Sequence, residues 1–313
     1  MSLEEFGNKK IESKSDMNAD WVELEPDKNG EVTQWIVFGG DKFLPTGKTI
    51  KSLPAGVYFA KKDERSGQPF FQLINLKNDK LIEPQKGIIS EVLEEIESFW
   101  KRKNLFDRYG FLHYRGYLFY GSHGSGKSSV VQLISEGVRR MGGIVVYCED
   151  PEELVSGLNA FRKIEKDRPV VVVFEDIDAI IKKYGESKVL AYLDGESKIS
   201  NVLNIATTNY PELLDKRIVN RPRRFDMIIK IEFPSLKARE LYLSGKVEKK
   251  EFKEWLAKTE GLSFASLAEL VIRVKCLGKG LDESNSLLRE AQEKNISSEG
   301  DNKVGFDQED EED

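Results

Sequence analysis

Cysteine and histidine are nearly missing from this chain, with two of each among 313 residues. Cys148 and Cys276 stand 128 positions apart, which excludes a disulfide framework or a zinc knuckle, since both need clustered thiols. His113 and His123 are too few for a His-rich metal site. No apolar run approaches the ~20 residues that a membrane-spanning helix needs, and the polar start MSLEEFGNKK has no secretory apolar core. A cytoplasmic protein with no membrane association is therefore expected. The formal charge is −6, from 54 acidic and 48 basic residues. Six of those acids, Asp307, Glu309, Asp310, Glu311, Glu312 and Asp313, fall in the last seven positions, and without them the two signs balance at 48 each. The acidic excess thus marks a tail, and it does not argue against a nucleic-acid partner.

What is present reads as a soluble globular chain, 39% hydrophobic and 33% charged, long enough for about two domains at roughly 150 residues each. Residues 1–19 form a polar leader. Residues 20–87 contain strand-length runs cut by turn residues, such as Trp35–Phe38, Gly56–Ala60 and Pro69–Ile74, and predict a small β-rich N-terminal domain. Residues 88–104 switch to helical spacing, with Ile88, Val92, Ile96, Phe99 and Trp100 on one face, and predict a linker helix. Between 105 and 235 strands and helices alternate, which implies a parallel sheet with helices on both faces. Residues 236–293 are helical in texture, and 294–313 read as a disordered acidic tail.

The chemistry-bearing segment is Gly121-Ser122-His123-Gly124-Ser125-Gly126-Lys127-Ser128-Ser129, which fits G-x-x-x-x-G-K-[ST] between a strand and a helix. Such a loop turns backbone N–H groups inward around phosphates at a helix N-terminus. Lys127 would then reach the β- and γ-phosphates and Ser128 would ligate Mg²⁺. Val170-Val171-Val172-Val173-Phe174 predicts a buried strand that delivers Glu175 and Asp176 to the ligand crevice. Ile205-Ala206-Thr207-Thr208 ends in Asn209, either a water-orienting amide or a turn residue before Tyr210-Pro211. Arg221-Pro222-Arg223-Arg224-Phe225-Asp226 offers guanidinium groups for transition-state charge, or a solvated basic face.

Taken in order, from Arg115-Gly116-Tyr117 through Leu193-Asp194-Gly195 and Leu213-Leu214-Asp215 to the arginines, the region from about Leu105 to Pro234 resembles the AAA family within the AAA+ group. The resemblance implies an α/β P-loop AAA+ fold with a small helical lid, ATP and Mg²⁺ as cofactors, and ATP hydrolysis. It further implies that Asn209 is the sensor residue, that Arg221 and Arg224 are fingers acting on a neighbouring copy, and that the protein is a ring, commonly a hexamer. The order Glu175-Asp176 reverses the usual Asp-Glu pair and is similar to that of mitochondrial AAA translocases of the Rieske iron–sulfur protein, whose membrane span is missing here. On alignment Glu175 takes the metal position and Asp176 activates water; the alternative gives Asp176 the metal and Asp178 the water. His123 stands where the family has proline. The segment Glu149–Gly157, where peptide-threading members carry an aromatic loop, has no aromatic residue.

These readings point to an AAA ATPase that remodels or moves a protein partner selected by the N-terminal domain. Two alternatives stand beside it. One is a DNA-directed accessory ATPase using Lys101-Arg102-Lys103 and Lys249, Lys250 and Lys253, although no aromatic stacking platform accompanies them. The other is a nucleotide-switched binding module with little turnover.

Overall fold

A computed structural model of the chain describes residues 34–38, 42–46, 49–64, 66–75, 88–194, 199–219 and 223–301. The chain divides into two units, Met1–Lys51 and Ser52–Asp313. In the first, β1 (Gln34–Phe38) and β2 (Lys42–Thr46) pair antiparallel, Gln34 opposite Thr46. The leader at 1–19 lies outside the described residues.

The second unit opens with a hairpin, β3 (Val57–Lys62) and β4 (Pro69–Ile74), followed by α1 (Ile88–Lys101) and α2 (Lys103–Arg108). Strand and helix then alternate through β5 (Tyr114–Tyr120), α3 (Lys127–Arg140), β6 (Ile144–Tyr147), α4 (Pro151–Ile164) and β7 (Val170–Phe174). Next come α5 (Ile177–Tyr184), α6 (Glu186–Asp194), β8 (Val202–Thr208), the short α7 (Lys216–Val219) and β9 (Met227–Lys230). Four helices complete the unit: α8 (Leu236–Ser244), α9 (Phe252–Lys258), α10 (Phe264–Val271) and α11 (Leu281–Asp301).

One seven-stranded sheet runs in the order β4-β3-β6-β7-β8-β5-β9, parallel throughout except for β4. Its centre is read directly from β-branched runs. Val170 to Val173 are all fully buried, alternate residues serving opposite faces, as a strand covered on both sides demands. On one face Val171, Val173, Leu203 and Ile205 meet Val92 and Ile96 of α1 and Val131 and Ile134 of α3. On the other, Val170, Val172, Phe174 and Val202 meet Leu154, Leu158 and Phe161 of α4 and Ile177, Val189 and Leu193 of α5 and α6. At about 1.5–3 kcal/mol for each fully buried Val or Leu, these two layers supply most of the driving force for the unit. A third core, around Leu243, Trp255, Leu262 and Leu267, belongs to the C-terminal helices.

The predicted α/β architecture with helices on both faces is thus present. The boundary of the β-rich N-terminal domain is corrected. Within 20–87, β3 and β4 do not form a domain of their own, because β3 pairs in parallel with β6, Val57 opposite Val145, and so extends the large sheet. Backbone hydrogen bonding drives that choice: an uncovered β6 would leave a buried strand with one row of N–H and C=O groups unpaired. α11 also runs on to Asp301, into the stretch read as a polar tail. Residues 302–313 lie outside the described residues. Among the described residues no helix is long and apolar enough to cross a membrane.

The two histidines divide between structure and site. His113 is buried, stacked on Phe99 with ring centroids 3.9 Å apart, and its ring nitrogens lie 2.8 Å from Asn201 Oδ1 and 2.9 Å from Phe99 O. It fastens α1 to the sheet. The cysteines differ as sharply. Cys148 is buried, and both that burial and the nearby Asp150 and Glu149 push its thiol well above the ordinary range, whereas Cys276 is exposed. A thiol-reactive probe at pH 8 is therefore expected to modify one cysteine quickly in the folded protein and both in denaturant, because the thiolate is the reacting species. Rapid modification of both in the folded state would contradict the buried position of Cys148.

Candidate nucleotide-binding site

Strand register gathers the site at the C-terminal ends of three interior strands of the sheet. Tyr120 at the end of β5 lies opposite Thr208 at the end of β8, so Gly121 and Asn209 leave the sheet side by side. Phe174 lies opposite Ala206, which brings Glu175 and Asp176 to the same crevice from β7. Both acids are exposed there.

The loop from Gly121 to Gly126 has the conformation that its glycines permit. Gly121, Gly124 and Gly126 all have positive φ, at 153°, 73° and 110°. A Cβ added to Gly121 would stand 2.2 Å from Ile231 O, so no side chain fits at that bend. Gly126 caps α3 without any side-chain hydrogen bond, leaving the first N–H groups of a 14-residue helix pointed into the loop. Ser125 Oγ is buried there without a hydrogen-bond partner among the described residues. Lys127, 8% exposed, lays its ammonium across the concavity, where it donates to Gly121 O (2.6 Å), Ser122 O (3.0 Å) and Asn209 Oδ1 (2.5 Å). Free helical N–H groups, an orphaned hydroxyl and an enclosed cation fit a polyphosphate.

The acidic strand adds a metal corner. Ser128 Oγ donates to Glu175 Oε1 at 2.7 Å, which joins the two residues expected to share Mg²⁺. Among the described residues no three His, Cys, Asp or Glu side chains cluster as a metal site. That suits Mg²⁺, which takes one or two protein ligands and completes its shell with phosphate oxygens and water. Asp176 sits in the left-handed region, φ 48° and ψ 59°, and its N–H donates to Thr207 Oγ1 at 3.0 Å. Asp and Asn enter that region more readily than other non-glycine residues, which favours the shorter acid at this position. Asp178 accepts from the Thr208 hydroxyl at 2.6 Å and so braces β8.

Other predicted residues are placed as follows. His123 is exposed on the loop, its Nε2 3.4 Å from Tyr210 OH, and Ser129 is exposed on the first turn of α3. Arg224 is corrected. It is 2% exposed and its guanidinium donates to Asp194, with Nε to Oδ1 at 2.5 Å, and to the Arg217 carbonyl. A finger for a neighbouring copy must point outward, and this one is spent on the chain's own α6. Arg221 lies outside the described residues. The segment 149–157 is not a loop: α4 begins at Pro151, capped by Asp150 Oδ1, which accepts the N–H groups of Glu152 (2.8 Å) and Glu153 (3.3 Å). Sequence reasoning missed Tyr147 at the end of β6. Burial, followed by the negative charge of Glu175, pushes its hydroxyl up to about 12. The pattern alone marks it as a strand residue and carries no signal of its neighbour.

A recess of about 160 Å³ adjoins the loop, lined by Ser122, His123 and Gly124, by Ser263 and Ala265 at the start of α10, and by Gln292 of α11. The Ala265 N–H donates to Gly124 O at 3.3 Å, so the helical lid touches the phosphate loop directly.

Fold and site together define a P-loop nucleotide-binding α/β protein. Residues 117–233 match the model of the ATPase family associated with various cellular activities, AAA, and this segment is an AAA ATPase domain. It is homologous to ATP-dependent zinc metalloprotease FtsH 2 of Sphaerobacter thermophilus, 28% identical over 206 residues, covering 58% of this chain and 31% of the relative. Similarity extends to the proteasome-activating nucleotidase of Methanosarcina mazei, 29% identical over 205 residues, covering 57% and 48% of the two chains. The corresponding protein of Methanococcus maripaludis is 30% identical over 185 residues, covering 53% and 45%. The chain spans less than half the length of these relatives.

Proposed function

We propose that this protein is a Mg²⁺-dependent ATPase that assembles head-to-tail into a ring, with six copies as the family implies, and uses turnover to remodel or move a protein partner. The observation that carries the reading is the convergence of Lys127, the Ser128–Glu175 pair, Asp176 and Asn209 on one crevice. Lys127 and the loop amides hold the triphosphate, and Ser128 and Glu175 hold Mg²⁺, which when bound neutralises charge on the phosphate oxygens. Asp176 takes the proton of the attacking water, and Asn209 orients that water while reporting to Lys127. Its Glu-Asp order supports a catalytic style like that of the Rieske translocases. Arg221 stays the proposed finger for the next copy, since a head-to-tail contact that closes on itself makes such a shared site.

The client is handled without threading. Only Cys148, Glu149 and Asp150 link β6 to α4, and Glu149 is itself paired with Lys61 of β3. That short link carries no aromatic residue to grip an extended peptide. The unit Met1–Lys51 is the proposed partner selector.

ATP turnover per chain, measured across protein concentration beside light scattering, tests the ring. Specific activity should rise as copies assemble. A specific activity independent of assembly overturns the shared site, and near-zero turnover by the assembled ring supports a nucleotide-operated switch instead.

A further inference from the structure

One wall of the recess beside the phosphate loop belongs to α11, and the chemistry above makes no use of it. There the carboxamide of Gln292 is spent on the first turn of α10. Its Oε1 accepts the Ser263 N–H at 2.9 Å and the Ser266 hydroxyl at 3.2 Å, and its Nε2 donates to Gly261 O at 2.8 Å. That turn is also the part of the lid that leans on the loop. Beyond the Ala265 to Gly124 hydrogen bond, a Cβ placed on Gly124 would come within 2.9 Å of Ala265 Cβ and 3.0 Å of Ser263 Oγ. A continuous path therefore runs from α11 through Gln292 and the α10 turn to the backbone that would cradle phosphate.

We propose that Gln292 is a positioning residue for nucleotide binding, through which α11 sets the affinity of the site. The inference rests on the ATP-site reading above. Ser263 is 4% exposed, so its N–H cannot exchange Gln292 for water without the turn moving. Because the turn and Gly124 are in contact, such movement displaces a loop whose amides must converge on phosphate to within a few tenths of an ångström. Gln292 touches no reacting group, so its loss weakens binding and leaves the chemical step intact.

The fold supplies its own control. One turn earlier on α11, Arg289 donates to Lys258 O (2.9 Å) and Glu260 O (2.8 Å), holding the same helix to the end of α9 without lining the recess. Full-length Gln292→Ala, Arg289→Ala and wild-type proteins are titrated with MgADP by calorimetry and assayed for ATP turnover. Gln292→Ala is expected to raise Kd and KM about tenfold, the equivalent of about 1.4 kcal/mol, at unchanged kcat. Arg289→Ala should bind as wild type does. Equal weakening in both variants would assign Gln292 to lid stability alone, and unaltered binding by Gln292→Ala overturns the proposal outright. Should that variant fail to fold, Ser266→Ala removes one donor to the same oxygen and is expected to weaken MgADP by roughly threefold; wild-type affinity there also overturns it. A wild-type chain that binds no MgADP would instead bring down the nucleotide-site reading, and this inference with it.

Discussion

Asp176→Asn should bind ATP with wild-type affinity and hydrolyse it roughly 10²–10⁴-fold more slowly, the usual worth of a positioned general base. The backbone makes this substitution unusually clean. Position 176 is left-handed, φ 48°, and Asn tolerates that region as well as Asp does, so the fold is retained while the proton acceptor is lost. Glu175→Gln should behave differently. Glu175 faces the Ser128 hydroxyl at 2.7 Å, in the metal corner, and replacing a carboxylate ligand by a neutral amide raises the Mg²⁺ needed for activity. Residues that only support a metal's ligands are worth roughly 10–100-fold in affinity, and a ligand should cost at least as much. Single-turnover hydrolysis with a Mg²⁺ titration separates the two. Wild-type turnover in Asp176→Asn, joined to its loss in Asp178→Asn, would move the base to Asp178 and the metal to Asp176.

Lys127→Ala is expected to remove nucleotide binding almost entirely. Two charge-assisted contacts to phosphate oxygens, at ~1.5–3 kcal/mol each, correspond to a loss of at least roughly 10² in affinity. A second effect follows from the protein's own geometry. The Lys127 ammonium satisfies Gly121 O, Ser122 O and Asn209 Oδ1 together, so its removal strips a donor from three oxygens at the junction of β5 and β8. The nucleotide-free variant should therefore melt a few degrees below wild type, each kcal/mol being worth about 2–4 °C in a chain of this size. Titration with a fluorescent ATP analogue and thermal unfolding check both halves. Retained micromolar binding would show that Lys127 is not the phosphate ligand.

The parts of this site that could be read from the sequence are those fixed by local chemistry. Four consecutive valines define β7 to the residue, and the glycine spacing with Lys127 places the phosphate loop at the start of α3. The start of α4 was equally available, since Asp150-Pro151-Glu152-Glu153 is a cap, a proline at the first helical position and an acidic first turn. What escaped depends on distant partners. A strand pattern at 57–62 is the same whether the strand founds its own sheet or joins β6. An arginine cluster likewise does not reveal that one guanidinium is buried against Asp194, 30 positions earlier in the chain. Tyr147 and Gln292 acquire their roles only through neighbours brought by the fold.

The hairpin that borders the sheet has a consequence for how the ATPase unit comes into being. During synthesis β3 and β4 leave the ribosome before any of the phosphate-binding strands, so the template for β6 is already waiting when Ile144-Val145-Val146 appears. Those three residues are fully buried in the finished protein and are the kind of apolar, uncharged run that pairs indiscriminately when left open. A chain cut at Leu105, the start of the recognisable ATPase sequence, would release that edge to other molecules. A truncation that keeps this pairing partner would therefore begin near Ser52, ahead of β3 and β4, and not at the motifs.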